Sequence, residues 1–401
     1  MVDALAIFPV LAVLSLAGSL AIFIYLLVTE RDAPKFSSSP KHDITGSSKP
    51  RVSIIVTAKN EEQMIGPCLG SLLTQTYDNF EIIVVDDSST DDTADTVVKL
   101  ASQSSNLRLI LAGPKPDGWV GKSWPCWRGF KEAKGEYLLF VDADSTFEST
   151  IVERSLVYVA RNSIDMFSLA PRVMSSGWVA KAVLPLITGA INLLYPMKKV
   201  NDRKSKRAYV FGTYILVRKE IYEKTGGHSK VRDELVEDAA IAQLTKSAGY
   251  NLKVEGGTDL ITTEWESDPK AIFHGLERVT STSIKTYGIV SVLNAILLFF
   301  LIVYPVLFVL SSLLLRAFSE VFLLGLIASV LNIILFLSLT AREMHAISGK
   351  AGLEIFLYFV GGLIFIIAIV TTSIKVTRGK DLYWKGQGYK QVLEKSVDTL
   401  E

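Results

Sequence analysis

Tyr137-Leu-Leu-Phe-Val-Asp-Ala-Asp144 is the stretch that decides how this chain of 401 residues folds. Tyr137 to Val141 has the length and character of a strand buried on both faces, and it stops on two carboxylates. Upstream, Val52-Ser-Ile-Ile-Val56 is a second such run; it breaks at Ala58-Lys-Asn-Glu-Glu62, and a helical pattern then continues to about Thr74. Glu81-Ile-Ile-Val-Val85 is a third, closed by Asp86-Asp87-Ser88-Ser89, and Leu107 to Leu111 is a fourth. Asp91-Asp92 opens the helix between these last two, where acidic residues suit the positive end of the helix dipole. Strands alternating with helices predict an α/β fold, a mostly parallel sheet with helices on both faces. Ligands in such sheets sit at the carboxyl ends of strands. Three polar clusters are therefore expected on one edge: Lys59 to Glu62, Asp86 with Asp87, and Asp142 with Asp144.

Two carboxylates after one strand can reach a single hard cation, and Mg2+ or Mn2+ is usually held by one or two carboxylates plus substrate phosphates. Taken alone, Asp142-Ala-Asp144 is as readily a capped turn, and Asp86-Asp87 a turn and N-cap. Together they read as walls of one nucleotide pocket, with Asp142 and Asp144 toward the metal and Asp86 or Asp87 accepting hydrogen bonds from a base or ribose. Between them lies Gly113-Pro-Lys-Pro-Asp-Gly-Trp-Val-Gly-Lys-Ser-Trp-Pro-Cys-Trp127, too rich in Gly, Pro and Trp for a regular element. Its Lys122 could approach a diphosphate closely, while Trp119, Trp124 and Trp127 pin the loop. Asp233 to Thr245 reads as the start of a helix with Glu237 and Asp238 at its positive end. An ionised carboxylate there can take a proton from an attacking hydroxyl.

Composition excludes other classes. Two cysteines and four histidines make neither a disulfide framework nor a structural zinc cluster, which suggests a reducing compartment. A formal charge of +1 leaves no footprint for nucleic acid. No charge falls within residues 4–29, 289–315, 321–340 or 355–374, and each window could cross a hydrocarbon core of about 30 Å as a helix. The expected plan is a membrane anchor at 1–30, a linker at 31–50, the α/β domain at 51–285, spans at 286–376 and a basic tail at 377–401. Arg31, Lys35, Lys41 and Lys49 follow the first window and only Asp3 precedes it, so the domain is expected in the cytoplasm. Four crossings would then leave the tail outside, against its Lys380, Lys385 and Lys390. Either one C-terminal window is re-entrant or interfacial, or the charge rule fails. Residues 179–197 form an interrupted apolar stretch that suits either a helix at the headgroup level or a core helix of the α/β domain.

In this order, Ala58-Lys-Asn-Glu61, Asp86-Asp87-Ser88-Ser89, Asp142-Ala-Asp144, Phe211-Gly-Thr with Gly226-Gly227, and Glu237-Asp238 resemble family-2 glycosyltransferases with the GT-A fold, a Rossmann-like sheet. Gly118-Trp-Val-Gly-Lys122-Ser-Trp124, the flanking apolar spans and Trp384-Lys-Gly-Gln-Gly-Tyr389 look like membrane glycosyltransferases acting on carotenoid and hopanoid lipids, and more distantly like ceramide glucosyltransferases. The resemblance implies a nucleoside pocket lined by Ala58 and Glu61, with Asp87 and Asp86 at the base. It implies Lys122 at the diphosphate, Asp142 and Asp144 at ribose and metal, and Asp238 as general base beside Glu237. Arg278 and Trp384 are candidates for acceptor or diphosphate contacts. Two departures matter. Gly275-Leu-Glu-Arg278-Val279 lacks the Trp that processive and ceramide branches carry, which disfavours polymer extension. Thr263-Glu264-Trp265 replaces a basic and aromatic stretch of the hopanoid type, so the acceptor is not carried over. The implied reaction is inverting, metal-assisted transfer from a nucleotide-sugar, with UDP expected, to a hydroxyl of a lipid in the bilayer. The alternatives are a polyprenyl-phosphate sugar synthase, a processive polysaccharide synthase and a catalytically silent membrane scaffold.

Overall fold

The computed structural model describes residues 7–30, 36, 49–287, 289–315, 319–384 and 387–389. Most of the expected linker and tail, with Arg31, Lys35, Lys41, Lys385 and Lys390, lies outside the described residues. The chain forms two compact units, one of residues 32–174 and 195–265, the other of residues 1–31, 175–194 and 266–401.

The α/β unit is built on β1 (Val52–Ala58), β2 (Phe80–Asp86), β3 (Leu107–Leu111), β4 (Tyr137–Asp142), β5 (Ser145–Phe147), β6 (Met166–Ala170), β7 (Arg172–Met174), β8 (Tyr214–Arg218), β9 (Leu252–Gly256) and β10 (Ile261–Glu264). Seven of them make one sheet in the order β3-β2-β1-β4-β8-β6-β9, and β5, β10 and β7 make a second. All neighbours in the large sheet pair in parallel except β8, which is antiparallel to both β4 and β6. Every residue of β2 is buried, as a strand covered on both faces requires. Alternation divides β1: Ile54 and Val56 pack with Leu69, Val97 and Ile151 on one face, and Ile55 packs with Val85, Phe130 and Ile241 on the other.

One expectation is corrected. The stretch expected to be too irregular for an element turns helical at Ser123, and the helix Ser123–Glu132 carries Pro125 in its first turn. Proline is tolerated there because the first amides of a helix have no partner inside it. Gly129 lets that helix lie directly on the sheet, since a Cβ there would stand 2.4 Å from Ile55 Cγ2 and 3.1 Å from Val85 Cγ2.

The second unit holds the helices Ile7–Glu30, Trp178–Leu194, Pro269–Tyr287, Ile289–Leu298, Tyr304–Leu314, Glu320–Ser348 and Tyr358–Thr377. A π-helical turn, Phe299–Val303, joins the fourth to the fifth, and the hairpin β11 (Leu382–Trp384) and β12 (Gln387–Tyr389) follows the last. Among the described residues, four stretches are long and apolar enough to cross a membrane: Ile7–Thr29, Val292–Leu314, Glu320–Ser348 and Leu353–Thr377. Trp178–Leu194 and Pro269–Tyr287 belong to this unit and not to the α/β unit, although the sequence pattern places that domain at 51–285.

Gly129→Ala should lower the stability of the α/β unit by about 1–3 kcal/mol, the usual cost of forcing extra volume into a packed core. Thermal unfolding of the purified protein, followed by tryptophan fluorescence, reads this directly.

Candidate active site

Register builds the site. β1 and β2 pair so that Ala58 lies opposite Asp86, and β1 and β4 pair so that Thr57 lies opposite Asp142. Three neighbouring strands thus end within one residue of each other, and the carboxylates that close β2 and β4 share one edge on either side of β1. Asp87 continues the alignment by donating its amide to the Ala58 carbonyl at 2.8 Å. The loops beyond interlock: Asn60 N donates to Ser89 Oγ at 3.0 Å, Thr90 N to Asn60 Oδ1 at 2.8 Å, and Glu61 N to Thr93 Oγ1 at 2.8 Å. Asn60 and Ser88 take left-handed backbone at φ 54° and 63°, an uncommon conformation outside glycine that turns both chains sharply at the strand ends. Asp86 is buried and accepts the Ser89 amide at 3.3 Å. Asp91, rather than Asp92, caps the next helix, accepting the Thr93 amide at 3.1 Å.

Asp144 lies just past β4. Its Oδ1 accepts the hydroxyls of Ser145 and Thr263, both at 3.1 Å, so the small sheet fixes the carboxylate through β10. Asp142 is engaged by Lys122 Nζ. Burial works against that ammonium, but the Asp142 carboxylate, with Glu237 beyond it, outweighs burial and holds Lys122 above its ordinary range.

The loop ahead of Ser123 brings a second lysine that sequence reasoning missed. Lys115 Nζ stands 3.5 Å from Asp87 Oδ2 and donates to the Gly121 carbonyl at 2.9 Å. Burial pushes its ammonium down, and Asp87 opposes the shift. The available signal was a lysine between Pro114 and Pro116 in the same glycine-punctuated loop. Val120 N donates to the Arg232 carbonyl at 2.7 Å, tying the loop to the segment that leads into the helix Glu237–Ser247. Trp119 packs on Trp124 and Trp127 with ring centres 5.2 and 6.1 Å apart.

Glu237 is buried and Asp238 half-buried at the start of that helix. Asp238 Oδ1 accepts the Ala239 amide at 2.7 Å, and a Cβ on Gly212 would stand 3.0 Å from Oδ2, so a glycine leaves this carboxylate its room. Two buried thiols register the gathering of charge. Burial pushes Cys126 up, Lys122 draws it down, and Glu237, Asp142 and Asp87 push it up again. Burial likewise raises Cys68, with Asp144, Asp142 and Glu61 adding to it. Asp87, Asp142, Lys122 and Glu237 therefore act on one sulfur, and Glu61, Asp142 and Asp144 on the other. Arg278 and Trp384 lie in the second unit, Arg278 in the helix Pro269–Tyr287 and Trp384 in β11.

Among the described residues no group of three or more His, Cys, Asp or Glu stands ready to hold a metal ion alone. Asp142 and Asp144 nevertheless offer the hard oxygen donors that Mg2+ or Mn2+ takes when phosphates complete the shell.

The large sheet with its acidic edge is the GT-A arrangement. A mannosyltransferase, PcManGT from Pyrobaculum calidifontis in complex with GDP-Man and Mn2+, aligns over 92% of this chain and 99% of its own with a TM-score of 0.52. At 18% identity that likeness speaks for fold alone. Residues 53–226 match the profile of Glycosyl transferase family 2. The probable glycosyltransferase YdaM of Bacillus subtilis is 29% identical over 255 residues, 62% of this chain and 56% of that protein. The 4,4'-diaponeurosporenoate glycosyltransferase of Staphylococcus aureus is 28% identical over 211 residues, 51% of this chain and 54% of that protein. The chain spans little more than half the length of these curated relatives.

Beneath Lys122 lies His228, which is 2% exposed and whose Nδ1 pairs with the Tyr222 hydroxyl at 2.7 Å. Burial, and then Lys122, lower its pKa from 6.5 to about 3. The unfolded chain takes up this proton below 6.5 and the folded chain does not, so stability is full above that value and falls as pH drops toward 3. Between pH 7 and pH 5 this group alone should remove about 2 kcal/mol. His228→Gln should lack this loss, so the stability difference between wild type and variant, measured by unfolding across that range, should change by the same amount.

Proposed function

We propose that this protein transfers a sugar, with inversion, from a nucleotide-sugar donor to the hydroxyl of a membrane lipid. The observation that carries the reading is the gathering of Asp86, Asp87, Asp142 and Asp144 with Lys115 and Lys122 at one sheet edge. Ala58 and Glu61 line the nucleoside pocket. Asp87 accepts hydrogen bonds from the base, and Asp86 braces its loop. Lys122 meets the diphosphate, with Lys115 as a second positive group beside Asp87. Asp144, with Asp142, would hold Mg2+ or Mn2+, and such an ion supplies positive charge against a leaving diphosphate. Asp238 takes the acceptor proton as the oxygen attacks the anomeric carbon from the face opposite the leaving group, and Glu237 supports it at the helix start. Arg278 and Trp384 remain proposed for the acceptor or the diphosphate.

The four long apolar stretches support a multi-pass protein of the cell membrane. The lysines and arginine that follow the first of them support a cytoplasmic α/β unit. A relative named for glycosyl transfer to diaponeurosporenoate supports a lipid acceptor drawn from the bilayer. A UDP-sugar is the proposed donor.

Asp238→Asn should lower turnover by about 10²–10⁴-fold, the usual worth of a positioned general base, and leave donor binding nearly unchanged. The assay is incubation of purified protein and lipid extract with radiolabelled uridine and guanosine nucleotide-sugars, followed by identification of the labelled lipid. Full activity in the variant would remove Asp238 from this role. An acceptor that is already ionised, such as polyprenyl phosphate, would leave the variant much of its rate. A ladder of products would mark a processive synthase, and no metal-dependent UDP binding would mark a silent scaffold.

A further inference from the structure

The second unit contains its own answer to how often the chain crosses the bilayer. Along the helix Ile7–Glu30, partners in the 289–314 stretch run backward: the Tyr304 hydroxyl donates to the Phe8 carbonyl at 2.6 Å, Ser15 Oγ to the Phe300 carbonyl at 2.6 Å, and Gly18 faces Leu301. Partners in the helix Glu320–Ser348 run forward. Gly325 faces Pro9, and Asn332 Nδ2 donates to Ser15 Oγ at 2.7 Å. The first helix and the third therefore point the same way and the second points the other. Glu30, Ile289 and Ser348 share one end of the bundle, and Ile7, Leu314 and Glu320 share the opposite end.

The last apolar stretch breaks this alternation. Tyr358, which opens its helix, stacks on Phe336 with ring centres 6.1 Å apart, and Gly362 faces Ile302. Phe336 stands twelve residues before Ser348, about 18 Å along a helix, and Ile302 stands thirteen after Ile289, about 20 Å. The helix thus begins part of the way into the bundle and not at its far end. Its other end returns to the starting side. Thr280 Oγ1 donates to Thr372 Oγ1 at 3.2 Å, and Lys375 Nζ donates to both carboxylate oxygens of buried Glu277 at 2.6 and 2.8 Å. Glu277 belongs to the helix that precedes Ile289, and its neighbours Lys270, His274 and Arg278 mark an aqueous or headgroup level.

Residues 349–357 suffice for the climb, since four extended residues cover about 13 Å and the 3-10 turn Leu353–Leu357 adds about 10 Å. Arg342 and Glu343 set the polar boundary of the helix Glu320–Ser348, and Phe336 lies six residues deeper than Arg342, about 9 Å. Glu354, one turn ahead of Tyr358, falls near that boundary, where a carboxylate can meet headgroups. Leu353, Phe356, Ile367, Val370 and Ile374 are exposed apolar side chains along the stretch. Gly361 presses on the helix Trp178–Leu194, where a Cβ would meet the Ala182 carbonyl oxygen at 2.0 Å.

We infer that residues 353–377 do not cross the bilayer but dip into one leaflet and leave on the side they entered. The unit then crosses three times. Leu353, Phe356, Ile367, Val370 and Ile374 form a surface for the acyl chains of that leaflet alone. Lys350, Lys375, Arg378 and Lys380 fall on one side, as the preference for basic residues in the cytoplasm requires. The inference rests on the membrane reading and is independent of the sugar-transfer reading.

The test is labelling of single introduced cysteines by a membrane-impermeant maleimide, in sealed right-side-out and inverted vesicles holding the full chain. The native Cys68 and Cys126 are buried and should stay silent. Lys350→Cys and Lys380→Cys should label several-fold more from the same side, and Leu315→Cys from the other. Labelling of Lys350→Cys and Lys380→Cys from opposite sides would overturn the inference. So would labelling of all three without sidedness, which would also remove the membrane reading. An otherwise wild-type chain with a C-terminal epitope gives a second measurement free of substitutions. Protease should remove the epitope only in inverted vesicles, and removal from right-side-out vesicles overturns the proposal.

Discussion

Carboxylates at the ends of β2 and β4, on either side of β1, repel one another, and the α/β unit is arranged around offsetting that repulsion. The strands β2 and β4 stand two spacings of about 4.8 Å apart with β1 between them, and at an effective dielectric near 20 two like charges at about 10 Å cost about 1.7 kcal/mol. The parallel register of β1, β2 and β4 forces this crowding, because it ends all three strands at one level. The loop of residues 113–122 supplies the counter-charge, with Lys115 at Asp87 and Lys122 at Asp142. To reach both, it turns at Gly113, Gly118 and Gly121, all at positive φ, where any other residue would be strained.

What lies beneath the loop matters as much. The helix Ser123–Glu132 starts where the second lysine ends, and Gly129 allows it to press on the sheet, so the place of Lys122 follows from close packing of helix on strand. Tyr222, Phe130, Phe140 and Trp127 form an aromatic floor with His228 among them. Because that histidine stays neutral, it adds no competing positive charge under Lys122. Gly227 is needed for the same packing, since a Cβ there would fall 2.2 Å from the Tyr222 ring.

Much of this was legible in the sequence, for a definite reason. The β-branched and apolar runs of β1, β2 and β4 are local signals, and the acidic residues that end β2 and β4 are covalently fixed to those ends, so strand direction alone brings them to one edge. Lys115 and His228 carry no such local mark, since their importance depends on what a loop and a glycine turn place opposite them. The antiparallel β8 and the small sheet of β5, β10 and β7 depend on pairings between residues about a hundred positions apart, such as Thr262 with Thr146, and no periodicity encodes these. The helix start at Ser123 was hidden because proline in a first turn looks like a breaker when only composition is read.

The apolar unit shows the same limit more sharply. Its four windows are nearly alike as strings of uncharged residues, so hydropathy does not tell one from another. The distinguishing information lies in rare polar and small residues within them. Asn332 donates to Ser15, and Ser15 donates to the Phe300 carbonyl inside the π-helical turn Phe299–Val303, where widened backbone needs a donor from outside the helix. In hydrocarbon a missed hydrogen bond cannot be made up by water, so this chain of two bonds fixes the register of three helices against each other. Once those three are fixed, Gly362 against Ile302 and Lys375 against Glu277 leave the fourth helix no route to the far end of the bundle. Span counting treats hydrophobic windows as interchangeable, whereas a handful of side chains decides which of them can cross.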